Sequence, residues 1–185
     1  MAGCVSRVSH SRPIGLAETL RCPHRVASEI VDARSVYGLT VIEVRFATSS
    51  MVVFWLTLEP WAPMAERGYP VERVAISVWR SGRIIAVPMD WRGRSWQHRY
   101  PYQAGTTWGL GDLCLWFPDD PRPLRWEWGD GLVEYITIVH RHLMAEEYAR
   151  RNNGAWPAED APHGTGPHPI RTIELHNAAA GEGSK

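Results

Sequence analysis

Alternation of apolar and polar residues predicts four consecutive β-strands in the first half of the chain. Residues 40–47 (TVIEVRFA) and 71–79 (VERVAISVW) alternate in the way that half-buried strands require. Residues 51–59 form a denser apolar run, and residues 83–88 follow a Ser-Gly turn. Because the turns between these segments are short, we expect a four-stranded antiparallel meander.

Helical patterns lie on both sides of this predicted sheet. Residues 14–35 have a helical composition, although Pro23 favours a short turn followed by a helix from about His24. A stronger helix is predicted after Asp130, which is a suitable N-cap residue, and it should end near Gly154. Its apolar positions recur at helical spacing and are Leu132, Ile136, Val139 and Leu143.

This order of elements is typical of an α+β domain. A chain of 185 residues is long enough to bury one core of its own. We expect a flexible N-terminus over residues 1–13, one domain over residues 14–165 and a flexible tail over residues 166–185.

Charge and hydropathy argue against several classes of function. The 20 lysines and arginines balance 20 aspartates and glutamates, so no electrostatic argument favours a nucleic acid or an anionic membrane as partner. No run of 18 apolar residues could span a bilayer. The first dozen residues lack the apolar stretch and cleavage site of a secretory signal, so we expect a cytoplasmic protein.

Cysteine and histidine spacing predicts neither a metal site nor a cofactor. Cys4, Cys22 and Cys114 match no metal-binding spacing and no disulfide framework, and we expect reduced thiols. His140 and His142 diverge around the predicted helix, away from its apolar stripe. With the EEYARR stretch after them, they are expected to form a solvated helix face.

The segment between the last strand and the strong helix is the candidate functional region. Residues 89–113 have no clear periodicity, and long irregular segments inside a domain tend to be functional. Five of the ten tryptophans lie between Trp91 and Trp126, on both sides of Cys114, where they would order irregular backbone. On spacing alone, the default interpretation of Cys114 is a buried structural thiol.

Other side chains could assist Cys114 as a nucleophile. His98 lies 16 residues upstream and could support the reaction if its loop folds back. Asp119 and Asp120 more simply form a turn, although an acidic group beside a thiol could accept a proton from an incoming amine. His163 lies in a Pro-His-Gly turn, where a surface position is an equally simple interpretation.

These motifs together resemble those of the bacterial E2-like proteins, relatives of ubiquitin-conjugating enzymes found in antiphage islands and ubiquitination-like operons. The resemblance covers about residues 40–165. Its motifs are HRYP at 98–101, LCLWFP at 113–118, RWEW at 125–128, EEYARRNNGAWP at 146–157 and PHG at 162–164. The most specific part is LCLW followed by Trp126 or Trp128.

The resemblance implies a ubiquitin-conjugating (UBC) like fold and an enzymatic role. Cys114 would receive a ubiquitin-like modifier as a thioester from a separate E1-like adenylating protein, then pass it to an amine or thiol of an acceptor protein. His98 matches the family's histidine and would be the second catalytic residue. The supporting residues would be Asp119, Asp120, Trp126 and His163. A lone thiol suits this chemistry because transthiolation requires only a thiolate fraction.

Two departures from the eukaryotic E2 pattern concern the mechanism. No asparagine follows His98, so we expect oxyanion support from backbone N–H groups of residues 109–113. The spacer before Cys114 is long, and residues 102–111 are expected to form a flap over the thiol. The chain carries no glycine-rich nucleotide loop, so the E1-like protein would be a separate partner.

Two alternatives remain open at this point. The chain could be an inert E2-fold binding module whose tryptophan-rich face docks an E1-like or signalling partner. It could also be a cysteine hydrolase with His98 or His163 as the base, which needs a histidine within hydrogen-bond reach of Cys114. Antiphage defence is an expectation from the family's genomic company alone.

Overall fold

The computed structural model describes residues 13–32, 38–90, 93–100, 111–116, 122 and 125–157. The N-terminal helical region divides into α1 (Leu16–Arg21) and α2 (Pro23–Asp32), with Cys22 between them. The break falls there because Pro23 lacks a backbone N–H and is best accommodated at the first position of a helix. The predicted helix after the break is therefore confirmed, whereas the residues before it form a short helix, α1, rather than a turn.

Four strands follow, and they form one antiparallel sheet. They are β1 (Leu39–Thr48), β2 (Met51–Leu58), β3 (Glu72–Trp79) and β4 (Ile84–Pro88), hydrogen-bonded in the order β1-β2-β3-β4. The predicted meander is confirmed, with strand ends that differ from the prediction by at most one residue. A short helix, α3 (Ala62–Ala65), occupies the proline-rich connection between β2 and β3.

One face of the sheet packs against α2 and against the last helix, α4 (Leu132–Arg151). Phe54 lies at the centre of this core, opposite Val44 of β1 and Ile76 of β3. Val26 and Ile30 of α2 are at most 1% exposed within the same cluster. The α+β architecture expected from the sequence is therefore present, with its core between sheet and helices.

The apolar stripe of α4 is buried as predicted. The residue that caps the start of this helix differs from the prediction. All four stripe residues are at most 1% exposed. The N-cap is Gly131 rather than Asp130, whose carboxylate instead accepts the Glu127 N–H and pairs with Arg122. Gly131 has φ 85°, and a Cβ there would lie 2.8 Å from Pro13. Close packing against the N-terminal segment, not a side-chain cap, sets where the helix begins.

The prediction of a solvated polar face on α4 is wrong for most of that face, although Tyr148 and Arg151 of the EEYARR stretch are exposed. His140, His142 and Glu146 are at most 1% exposed, and Glu147 is 9% exposed. Residues 94–98 and Trp156 pack over His142 and Glu146 and bring polar partners with them, while Trp61 packs on the His140 ring. Periodicity alone could not reveal that cover, because the covering segment has no regular pattern of its own.

The cysteines also depart from expectation. Cys22 is disulfide-bonded, so the prediction of three reduced thiols is wrong at this position. Cys114 keeps its thiol. Residues 1–12 and 158–185 lie outside the described residues, so the predicted domain limits stay predictions. Among the described helices, none has the length and apolar character needed to cross a membrane.

Candidate functional site

Cys114 lies in a short extended segment that adds to the edge of the sheet. The Leu113 N–H donates to the Ala86 carbonyl of β4 at 2.8 Å. Leu113 and Leu115 are each 4% exposed and join the core, because they flank a backbone held against β4. Cys114 is thus held in place by the hydrogen bond of its neighbour Leu113 to β4 and by the burial of Leu113 and Leu115 on either side of it.

The irregular segment after β4 folds back and pairs with the Cys114 segment. Arg99 and Leu113 form an antiparallel bridge, and the Cys114 N–H donates to the His98 carbonyl at 2.8 Å. This register sets His98 directly opposite Cys114, and facing residues of an antiparallel pair project their side chains to the same side. The two residues predicted as catalytic are therefore brought together, 16 positions apart in sequence.

The Cys114 thiol is fully buried and bonds to a tyrosine that the sequence analysis gave no role. Its S–H donates to the Tyr100 hydroxyl at 3.2 Å. Burial raises the pKa of Tyr100, and the bond to Cys114 acts in the same direction. The hydroxyl therefore stays protonated at neutral pH and can donate to a thiolate. Tyr100 was visible in the HRYP motif, but its contact with sulfur depends on the strand register.

A glycine, Gly111, lies next to the paired segment and accommodates the Arg99 side chain. Gly111 has φ 78°, and a Cβ there would collide with the Arg99 guanidinium. Arg99 donates from Nε to the Gly111 carbonyl at 2.6 Å, while the Tyr100 N–H donates to the Asp112 carbonyl at 2.9 Å. Burial lowers the pKa of Arg99, against the attraction of Asp112. These bonds, together with those from Cys114 to the His98 carbonyl and the Tyr100 hydroxyl, join residues 98–100 to residues 111–114.

Helix α4 holds the other side of His98. The His98 N–H donates to Glu146 Oε1 at 2.6 Å, and the His98 carbonyl lies 3.1 Å from His142 Nε2. Because a carbonyl can only accept, Nε2 of His142 carries the proton. The His98 imidazole packs on Trp156 with ring centroids 4.2 Å apart. His98 is therefore positioned through its backbone as well as its ring.

Glu146 is the buried acid at the centre of this arrangement. It is 0% exposed and also accepts the Gln97 N–H, at 3.1 and 3.2 Å from its two oxygens. Burial raises the pKa of Glu146, while the Gln97 and His98 N–H groups and the charge of Arg150 oppose that rise. A carboxylate that accepts two successive backbone N–H groups fixes the local chain direction, since both donors must point at one side chain.

Two other acidic residues near Glu146, Glu72 and Glu147, form ion pairs with arginines. Glu72 of β3 is buried and bonds to Arg94 at 2.7 and 2.8 Å, and burial raises its pKa against the pull of Arg94. Although burial acts to raise it, the pKa of Glu147 is held below its usual value by Arg151 and Arg150. Arg94 and Arg150, the latter at 3.9 Å, both pair with Glu72 and so tie residue 94 and the end of α4 to the sheet.

Trp126 lies beneath the segment that follows Cys114. Its indole N–H donates to the Gly131 carbonyl at 2.8 Å, and the side chain is 6% exposed. Its ring centroid is 4.9 Å from that of Trp128, 5.0 Å from Tyr135 and 6.3 Å from Trp116. Trp116 is two residues after Cys114, so Trp126 links the start of α4 to the site.

Several expectations fall on residues outside the described ranges. Asp119, Asp120 and His163 are among them, as is most of the flap predicted over residues 102–111. Oxyanion support from residues 109–113 must be corrected at Leu113, whose N–H is already committed to the Ala86 carbonyl.

Within the described ranges, no three acidic, cysteine or histidine side chains are grouped so that they could bind a metal ion. Comparison with known proteins adds no family assignment. No protein-family model matches the sequence, and no curated protein matches it.

Proposed function

We propose that the chain is an E2-like conjugating enzyme that carries a ubiquitin-like modifier as a thioester on Cys114. The observation that carries this proposal is the pairing of His98 with Cys114 beside β4, the last strand of a four-stranded meander. Helices before the sheet and a long helix after it complete the order of elements that the sequence resemblance implies. A UBC-like fold is part of the same proposal.

The proposed chemistry is two successive acyl transfers. The Cys114 thiolate attacks the carbonyl carbon of a thioester between the modifier's C-terminus and an E1-like protein. The new carbon–sulfur bond forms as the old one breaks, and the E1 sulfur leaves as a thiolate that takes a proton from solvent. An acceptor amine then attacks the Cys114 thioester, loses its proton to solvent and releases the Cys114 thiolate.

In this proposal, Tyr100 provides the oxyanion support that the asparagine gives in the eukaryotic E2 pattern. Its hydroxyl lies within hydrogen-bond distance of the sulfur and keeps its proton at neutral pH. During attack, the carbonyl oxygen develops negative charge, and a preorganised O–H donor about 3 Å from that oxygen stabilises it. We assign Tyr100 this oxyanion role, in place of the Leu113 N–H.

The partners follow from the proposed chemistry. They are a separate E1-like adenylating protein, a ubiquitin-like modifier and a protein acceptor, with neither a nucleic acid nor a membrane required. We place the activity in the bacterial cytoplasm and in antiphage defence, on the strength of the resemblance to the bacterial E2-like proteins.

A second function is favoured by one specific observation, the complete burial of Cys114 beneath Tyr100. A thiol that never becomes accessible could not accept a modifier, and the chain would then be an inert E2-fold module that docks an E1-like or signalling partner. The hydrolase alternative needs a histidine within hydrogen-bond reach of Cys114, whereas the thiol bonds to the Tyr100 hydroxyl and His163 lies outside the described residues.

A reconstituted transfer reaction distinguishes between the two functions. The chain is mixed with ATP and with E1-like and ubiquitin-like proteins encoded beside it, and the products are run on a non-reducing gel. We expect an adduct that thiols cleave and that Cys114→Ala abolishes. An E1-like protein that charges its own cysteine and binds the chain, yet yields no adduct, would support the inert module instead.

A further inference from the structure

Two side chains of α4 hydrogen-bond to the backbone of residues 97 and 98, immediately before the segment that pairs with Cys114. Glu146 accepts the N–H groups of Gln97 and His98, and the protonated Nε2 of His142 faces the His98 carbonyl. His142 and Glu146 are four residues apart on α4, so both reach the same side of the helix. Together they bond to three polar groups of the 97–98 backbone, the two N–H groups and the His98 carbonyl.

From residues 97 and 98 the chain continues into the residues that lie against the Cys114 thiol. Residues 98–100 pair with residues 112–114, and this pairing brings the Tyr100 hydroxyl to the Cys114 sulfur. The covering segment, residues 97–100, is thus held by α4 at its start and by the Cys114 segment along its length. Because Tyr100 contacts the buried sulfur, movement of this segment away from residues 112–114 would expose the thiol to a bulky acyl donor.

We infer that Glu146 is a positioning residue whose grip on the 97–98 backbone keeps the covering segment closed over Cys114 and so sets how often the thiol is exposed. This inference rests on the proposed function for its meaning in catalysis, since exposure of the thiol would be the step that admits the E1-bound modifier. The physical claim about exposure stands without that function.

The neighbouring carboxylate provides a matched control. Glu147 lies on the same helix and is also largely buried, but its oxygens bond to Arg150 at 2.8 Å and Arg151 at 2.6 Å. Glu146→Gln keeps the shape and one acceptor oxygen, yet it removes the charge and turns an NH₂ group toward a backbone donor. Glu147→Gln makes the same chemical change without touching residues 97–98.

The experiment measures how fast iodoacetamide alkylates Cys114 in the folded chain. The rate is followed by mass spectrometry of the Cys114 peptide, at rising urea concentrations below the unfolding transition, and global stability is measured in parallel. Alkylation through a local opening depends weakly on urea, whereas alkylation through global unfolding follows the full denaturant slope.

We expect alkylation at low urea to be nearly independent of denaturant and to rise about tenfold in Glu146→Gln, which corresponds to one lost charge-assisted hydrogen bond. Glu147→Gln should change the rate only as far as its global stability changes. The inference is overturned if Glu146→Gln accelerates alkylation no more than its loss of global stability accounts for, or if both variants behave alike.

A thioester assay on the same proteins separates the two proposals. An alkylation difference specific to Glu146→Gln, with no thioester in any variant, would remove the proposed function and leave the positioning role. Normal thioester formation without that alkylation difference would support the proposed function and remove the positioning role of Glu146.

Discussion

Replacement of Trp126 by phenylalanine should destabilise the fold more than the same change at its neighbour Trp128. Trp126 is 6% exposed, and its indole N–H bonds to the carbonyl of Gly131, the N-cap residue of α4. Phenylalanine keeps one aromatic ring but loses the N–H and the five-membered ring. The space left behind borders Trp116 and Tyr135.

The cost can be worked from these contacts. The Gly131 carbonyl keeps a second donor, the Tyr135 N–H at 3.3 Å, so loss of the indole bond costs about 1 kcal/mol rather than the full penalty of an orphaned group. Lost burial, cavity formation and weaker aromatic packing add about 1–3 kcal/mol. The expected total is about 2–4 kcal/mol of unfolding free energy.

Urea denaturation followed by far-UV circular dichroism measures this difference. Trp128 makes a comparable bond, to the Gly82 carbonyl at 2.7 Å, but it is only partly buried. Trp128→Phe should therefore cost about 1–2 kcal/mol. The reasoning fails if Trp128→Phe costs as much as Trp126→Phe, or if Trp126→Phe costs less than about 1 kcal/mol.

Two further variants test the chemistry of other buried groups. Tyr100→Phe should slow single-turnover thioester formation about 100-fold, since it removes one oxyanion donor, without slowing alkylation of Cys114; an unchanged transfer rate would eliminate this role. Burial lowers the pKa of His140 below 6.5, so its stabilising effect is present above that value and is lost as the pH falls below it. His140→Asn should therefore lose less unfolding free energy than the wild type between pH 7.5 and 5.5, and equal losses in both proteins would contradict this assignment.

The sheet was predictable from sequence because its strands bury one face and alternate accordingly. Residues 71–79, for example, place Val74, Ile76 and Val78 on the core side, and all three are 0% exposed. Pro23 marked the helix break for an equally local reason, the missing N–H. Local patterns of this kind decide secondary structure without knowledge of distant partners.

The site depended on contacts that no local pattern contains. Glu146 and His142 looked like solvated helix residues because their partners are backbone groups of residues 97 and 98. Tyr100 reaches the Cys114 sulfur only through the strand register. The pairing of His98 with Cys114 was expected from family resemblance, whereas spacing alone could not have brought together residues 16 positions apart.

The most direct test is the intact mass of the chain after reaction with ATP, a charged E1-like protein and its ubiquitin-like modifier. We expect a new species heavier by the modifier less one water, located on Cys114 and released by hydroxylamine at neutral pH. Absence of any such species, while the E1-like protein itself carries the modifier as a thioester, would contradict the proposal that Cys114 is a conjugating nucleophile.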